Sequence, residues 1–253
     1  MAENKELAKS KFLEPDIKVL ALNYLRSKNL INDNSIIMNE FTIGSFSRRV
    51  DLVIYSDNKL IAFEIKSEAD SLYRLNGQID KYLEYFDKVI VISDSKFTST
   101  IMTLLPESVG IWEVNCLKIK VIKRGKSKNK INSESLISMM DVIDLSKLST
   151  KLKIKCDKNR SALEQSLITV SNNTLREAVY LSLSRKFSKV THSFLEETRN
   201  REISKSDLKL LSRFNIKREI MNEKIKKSKV FWGNIEQHIE NIERFADTST
   251  YKK

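Results

Sequence analysis

The sequence predicts an α/β fold, a mixed β-sheet flanked by helices and followed by an all-α C-terminal region. Three observations point there. Strand-like and helix-like apolar patterns alternate between residues 12 and 123, whereas only helical patterns follow residue 160. Glycine and proline are scarce, 5 and 2 among 253 residues, too few for a sandwich of many tight turns. Hydrophobic residues make up 41% of the chain, enough to bury a substantial core.

The elements read as follows. Residues 12–27 form a helix with Ile17, Leu20, Ala21 and Tyr24 on one face, and Pro15 in its first turn. Residues 36–43, 48–55 and 60–66 alternate as strands. The stripe Leu72, Leu75, Ile79, Tyr82, Leu83 and Phe86 marks a helix over 71–87, with Asp70 or Ser71 as its cap. Val89–Ile92 is a buried strand, 96–105 a helix, and 109–114 and 117–122 two further strands, with Trp112 in the core. The polar, basic run RGKSKNKINSES has no period and reads as a linker. Helices are expected at 161–171, 174–187, 190–213 with a break allowed inside it, 216–228 and 233–245. The predicted organisation is a first domain over 1–123, a linker over 124–159 and a helical domain over 160–253.

Bulk properties narrow the function. The formal net charge is +12, which favours an anionic partner, nucleic acid first among them. The two cysteines, Cys116 and Cys156, show no CxxC spacing, and the two histidines, His192 and His238, lie in no HExxH-like pattern. A cysteine zinc site, a disulfide framework and a histidine-dependent hydrolase are therefore not expected. No apolar run reaches the roughly 18 residues of a membrane span, and MAENKELAKSKF lacks a signal-peptide core, so a cytoplasmic protein is expected.

The hairpin over 50–66 bears the chemistry. A two-residue turn at Asp57-Asn58 sets Asp51 opposite Glu64, Val53 opposite Ala62 and Tyr55 opposite Leu60. Opposed side chains share a face about 5 Å apart, and Lys66 joins that face by strand alternation. The other face, with Leu52, Phe63, Ile54, Ile61, Val50 and Ile65, is wholly apolar. Two facing carboxylates at the edge of a buried surface raise each other's pKa, and a divalent cation relieves the repulsion. Mg²⁺, or Mn²⁺ in its place, takes carboxylate and carbonyl oxygens, so Asp51, Glu64 and the Ile65 carbonyl form the expected ligand set. Lys66 is placed to position water or neutralise developing charge. A four-residue loop over Gly44–Ser47 would put Glu40 opposite Asp51 as a third acid.

The whole set resembles the PD-(D/E)XK nuclease superfamily: a first helix, Asp51, then Glu64-Ile65-Lys66, then Gln78 and Tyr82 on the next helix. The run of Arg49-x-Asp51, EIKS, Arg74-Leu75, Gln78, Tyr82 and Phe86-Asp87 is similar to a small bacterial family within it, over residues 15–115. The resemblance implies a restriction-endonuclease-like core, Mg²⁺-dependent phosphodiester hydrolysis, most readily of DNA, and a genome-defence or mobile-element setting. It assigns the metal to Asp51 and Glu64 and catalytic help to Lys66 and Gln78. Relatives often carry a glutamate on the first helix, which here is Glu14; Glu40 is the preferred third acid. Arg49, Arg74 and Tyr82 are candidates for gripping nucleic acid, with ion pairs to Glu68 or Asp70 as the structural alternative for the arginines. Arg48 reads as structural. Gln78 and Tyr82 lie four apart and so share one helix face. Isolated E/D-x-K matches, such as Asp16-Ile17-Lys18, mean nothing alone. The competing readings are a DNA-binding module without cleavage, and a structural subunit recruiting another effector through the C-terminal helices, which are also candidates for homo-oligomerisation. Phe231-Trp232 is expected to anchor a junction between two helices.

Overall fold

The computed structural model describes residues 12–44, 48–128, 130–213 and 215–249, apart from the side chains of 215–220, 222 and 240–249. Six strands form one sheet in sequence order: β1 (Ile36–Ile43), β2 (Arg48–Ser56), β3 (Lys59–Lys66), β4 (Lys88–Asp94), β5 (Gly110–Asn115) and β6 (Lys118–Lys123). The first three pair antiparallel, β3–β4 and β4–β5 pair parallel, and β6 returns antiparallel. The mixed sheet, its flanking helices and the helical C-terminal region are the architecture expected from the sequence. Asp57 and Asn58 both take left-handed backbone, as a two-residue hairpin turn requires, and the β2–β3 register is the predicted one.

Helix α1 (Glu14–Ser27) covers one sheet face through Ile17, Ala21, Leu22 and Leu25, packed with Ile37, Leu52, Ile54, Phe63, Ile65 and Trp112. Tyr24 and Phe63 meet the Trp112 ring edge-on at 5.2 and 5.6 Å. On the other face lie α2 (Leu75–Tyr85), α3 (Thr98–Leu104) and a set of helices beyond the sheet: α4 (Ser133–Ser138), α5 (Val142–Lys151), α6 (Arg160–Leu167) and α7 (Asn172–Thr198). Leu136, Leu145, Leu163, Leu175, Leu183 and Phe187 from these helices share one core with Met38, Val53, Ala62 and Val89 of the sheet.

The stretch 124–159 thus contains α4 and α5 where a linker was expected, and one compact unit runs to Leu211. The physical reason is burial. The sheet's second face is apolar along its length, and α2 and α3 alone leave part of it to be covered. Helix α7 is continuous across the predicted break at 187–190 and ends at Thr198, followed by a 3-10 segment over Lys205–Leu211. It also closes the sheet edge: the Thr191 hydroxyl accepts from the Ile37 N–H at 3.0 Å and donates to its carbonyl at 3.2 Å. At the opposite edge β6 exposes or half-exposes its side chains, among them Lys118 and Lys120.

Among the described residues the second unit, 212–253, holds one helix, α8 (Asn215–Ser249). It runs unbroken through the junction expected at Phe231-Trp232, and both rings are 59% exposed.

Candidate active site

The β1–β2 ladder pairs Asn39 with Leu52 and Phe41 with Val50, leaving out Glu40 and Asp51 between them. The register is the same on both sides, so no residue is inserted; instead Glu40 takes a left-handed backbone, φ 54°. That conformation is uncommon for a residue with a Cβ and marks a local kink. Its consequence is visible in the packing. Leu52 and Ile54 face the α1 side, yet Val50 packs on the opposite side with Met38 and Phe41. Strict alternation would have kept Val50 with Leu52 and Ile65, as the sequence reading assumed. The β2–β3 ladder likewise begins at Leu52–Phe63, and beyond it the Asp51 carboxylate replaces a backbone partner, accepting the Ile65 N–H at 2.7 Å. The Gly44–Ser47 loop lies, beyond Gly44, outside the described residues.

At this kink the predicted residues converge. Glu64 is 1% exposed and accepts from Lys66 Nζ at 2.7 Å, Gln78 Nε2 at 2.7 Å and the Tyr82 hydroxyl at 2.9 Å. Lys66 also donates to Gln78 Oε1 at 3.2 Å. The Tyr82 hydroxyl lies 2.9 Å from the Arg49 carbonyl as well, so one proton serves two acceptors. Tyr82 is therefore more than packing, but it is wholly buried, so it does not offer the grip on nucleic acid expected of it. Burial first, then the Glu64 charge, pushes its pKa up, so it stays a donor.

The two contenders for the third acid meet through one cation. Lys18, almost wholly buried, lies 2.7 Å from Glu14 and 3.8 Å from Glu40, and Arg49 reaches Glu40 at 3.2 Å. Lys18 was the residue missed from the sequence, where it served only as a meaningless D-x-K match; its signal was a charge four residues after Glu14, beside the apolar stripe. The Arg49 partner is thus Glu40 rather than Glu68 or Asp70. Arg74 is exposed at the N-cap of α2, and Arg48 has a guanidinium nitrogen close to Gly77. Asp70 does not cap α2; it folds back onto the Ser67 N–H at 2.7 Å and hydroxyl at 2.6 Å, fixing the loop after β3. The group of Ile65 in contact with Asp51 is its N–H.

Burial and a neighbouring carboxylate act together on Asp51. The pKa of half-buried Asp51 is raised to about 7, chiefly by burial and then by Glu64, with Glu14 adding to it; the Ile65 N–H and Lys18 act the other way. Among the described residues no three His, Cys, Asp or Glu side chains form a ready-made metal cluster. The donor chemistry nevertheless suits a hard cation in kind, with Asp51 and Glu64 as oxygen ligands and Glu14 and Glu40 held nearby by Lys18.

The raised pKa has a consequence for stability. The folded carboxyl binds a proton up to about pH 7, whereas the unfolded one releases it near 3.8. Asp51 therefore contributes most below pH 3.8, loses that contribution as pH rises towards 7, and is neutral to further change above it. In EDTA, Asp51→Asn is expected to gain on wild type by about 2 kcal/mol between pH 4 and pH 8, discounting for partial solvent screening. Urea midpoints of both proteins across that range check this; a constant difference refutes it.

A family model described as bacteriophage P4 protein cII matches residues 8–212. The chain belongs to this family. It is 32% identical to "Protein cII" of Enterobacteria phage P4 over 207 residues, covering 79% of this chain and 78% of that one. Among solved structures it is similar to a protein of unknown function from Silicibacter pomeroyi, at 19% identity and a TM-score of 0.36, over 46% of this chain and 75% of the other. The cII family match spans the candidate site and the helices packed on the sheet, and stops where the first compact unit ends.

Proposed function

We propose that this protein is a metal-dependent nuclease of the PD-(D/E)XK type, hydrolysing phosphodiester bonds in nucleic acid, DNA first among them. The observation that carries the reading is the meeting of Asp51, Glu64 and Lys66 at a strand kink, bound by Gln78 and Tyr82 from the following helix. A buried lysine between a carboxylate and an amide is an expensive arrangement to keep for stability alone.

In this reading Asp51 and Glu64 hold Mg²⁺ or Mn²⁺, which when bound polarises the phosphate and acidifies water. Lys66 presents its ammonium where negative charge develops. Gln78 orients both Lys66 and Glu64, and Tyr82 fixes the second Glu64 oxygen. Lys18 and Glu14 set the charge beside Asp51. Arg49, exposed Arg74 and Tyr73, which is 95% exposed on the loop before α2, would in this reading meet phosphate and base. A DNA substrate makes the cytoplasm the working compartment, and among the described residues no helix is long and apolar enough to cross a membrane. Similarity to a phage protein favours a mobile-element or phage-related role.

One observation favours a second reading. Both Glu64 oxygens already have protein donors, which suits a module that binds nucleic acid without cutting it. The test is the full chain with linear, nicked and single-stranded DNA, in Mg²⁺ or Mn²⁺, beside Asp51→Asn. Cleavage by wild type, lost in EDTA and in the variant, is the expected result. Salt-dependent binding without cleavage in any arm supports the binding module and overturns the nuclease.

A further inference from the structure

Helix α8 lies beyond the family match and leaves an apolar seam in solvent. Met221, Ile225, Trp232 and Ile239 are 45–59% exposed, with Ile235 half-buried between the last two. The positions 221, 225, 228, 232, 235 and 239 are spaced alternately four and three, and the sequence continues the spacing to 242 and 246. That is the seam of a two-stranded coiled coil, sustained for more than three heptads. A helix of 35 residues with such a stripe draws most of its stability from packing that stripe against another surface.

Its charges specify what that contact is. The sequence of 215–229 holds six cations and two acids, whereas 230–249 holds four acids and one arginine. The first turn carries no acid and the last no base, so the ends are charged against the helix dipole. A parallel copy would set like charge beside like along the whole length. An antiparallel copy sets each basic half beside an acidic one.

We propose that α8 pairs with α8 of a second copy of this chain, as an antiparallel two-helix coiled coil. One register maps the seam onto itself. It places Trp232 against Ile235 of the second copy and Ser228 against Ile239, with the two-fold axis at Gly233-Asn234. Lys224, Lys226, Lys227 and Lys229 then run beside the acidic end of the other helix. This pairing depends on neither the nuclease reading nor its site.

Light scattering on the full chain at tens of micromolar tests the pairing, and crosslinking tests its direction. A mass of two 29.4 kDa chains is expected, with Trp232→Glu weakening the dimer by roughly 30-fold or more. With Cys116 and Cys156 replaced by serine, the double variant Ser228→Cys/Ile239→Cys should form an intermolecular disulfide, whereas Ser228→Cys alone should not. A monomeric wild type, its seam covered within its own chain, overturns the proposal. So does crosslinking through Ser228→Cys alone, which requires parallel helices.

Discussion

Lys66→Ala is expected to lower metal-dependent DNA cleavage by about 10³-fold while DNA affinity changes by less than about threefold. The ammonium sits 2.7 Å from Glu64 and 3.2 Å from Gln78 in a pocket that is nearly closed to water. Under the proposed nuclease function a charge there would act on the developing phosphate charge, and docking would fall to the exposed arginines. Truncation also leaves Glu64 buried with two neutral donors, and an uncompensated buried carboxylate costs about 3–5 kcal/mol unless it takes up a proton. The alanine variant therefore needs a companion that keeps the packing of the lysine stem. Lys66→Met should be the more stable of the two and equally inactive. Single-turnover rates with saturating DNA decide the matter, since they separate chemistry from binding. A loss of less than fivefold in a folded variant would remove Lys66 from the chemistry.

Much of this site was legible because hairpin arithmetic is rigid. The Asp57-Asn58 turn fixed the β2–β3 register, and alternation then put Lys66 with Glu64. Gln78 and Tyr82 came from the resemblance to PD-(D/E)XK nucleases, and four-residue helical spacing only put them on one face. What alternation could not reveal was the kink at Glu40 and Asp51, which sends Val50 to the other face and turns the Asp51 side chain onto a backbone N–H. No glycine announces it, because a glutamate bears the left-handed conformation. Lys18 was hidden for a different reason: a lysine beside an apolar stripe reads as solvated until its partners, distant in sequence, are known.

The helices α4 and α5 went unread although their start signals are present. Asn132 accepts the Ser135 N–H and Asp141 accepts the Asp144 N–H, each a side chain three residues ahead of its donor. The basic run before them masked these caps, since charge without period suggests a linker. With α4 and α5 read as linker, the predicted boundary fell at 123. The continuity of the first unit depends instead on pairs far apart in sequence, which no local pattern announces.

Asp87→Ala is expected to be the most destabilising of the changes considered, by about 3–5 kcal/mol. Asp87 is 2% exposed at the end of the sheet remote from Lys66, just after α2. Its carboxylate accepts the Leu60 N–H at 2.8 Å and both terminal nitrogens of Arg176 at 2.8 and 2.9 Å. Arg176 also donates to the Asn58 carbonyl at 2.9 Å, so one arginine on α7 ties the β2–β3 turn to the loop entering β4. Removing the carboxylate orphans a buried N–H and leaves a guanidinium without its counter-charge. The resemblance to nuclease sequences included this aspartate in its Phe86-Asp87 step, yet its contacts are structural. Asp87→Asn keeps one acceptor for Leu60 or Arg176 and should cost about 2 kcal/mol. Urea unfolding with an unchanged slope measures both. A cost below about 1 kcal/mol for Asp87→Ala would mean that the Asp87–Arg176 pair adds little to the apolar packing and Thr191 hydrogen bonds that hold α7 to the sheet. Cleavage per folded molecule should be unaltered, which distinguishes this anchor at the start of β3 from Lys66 at its far end.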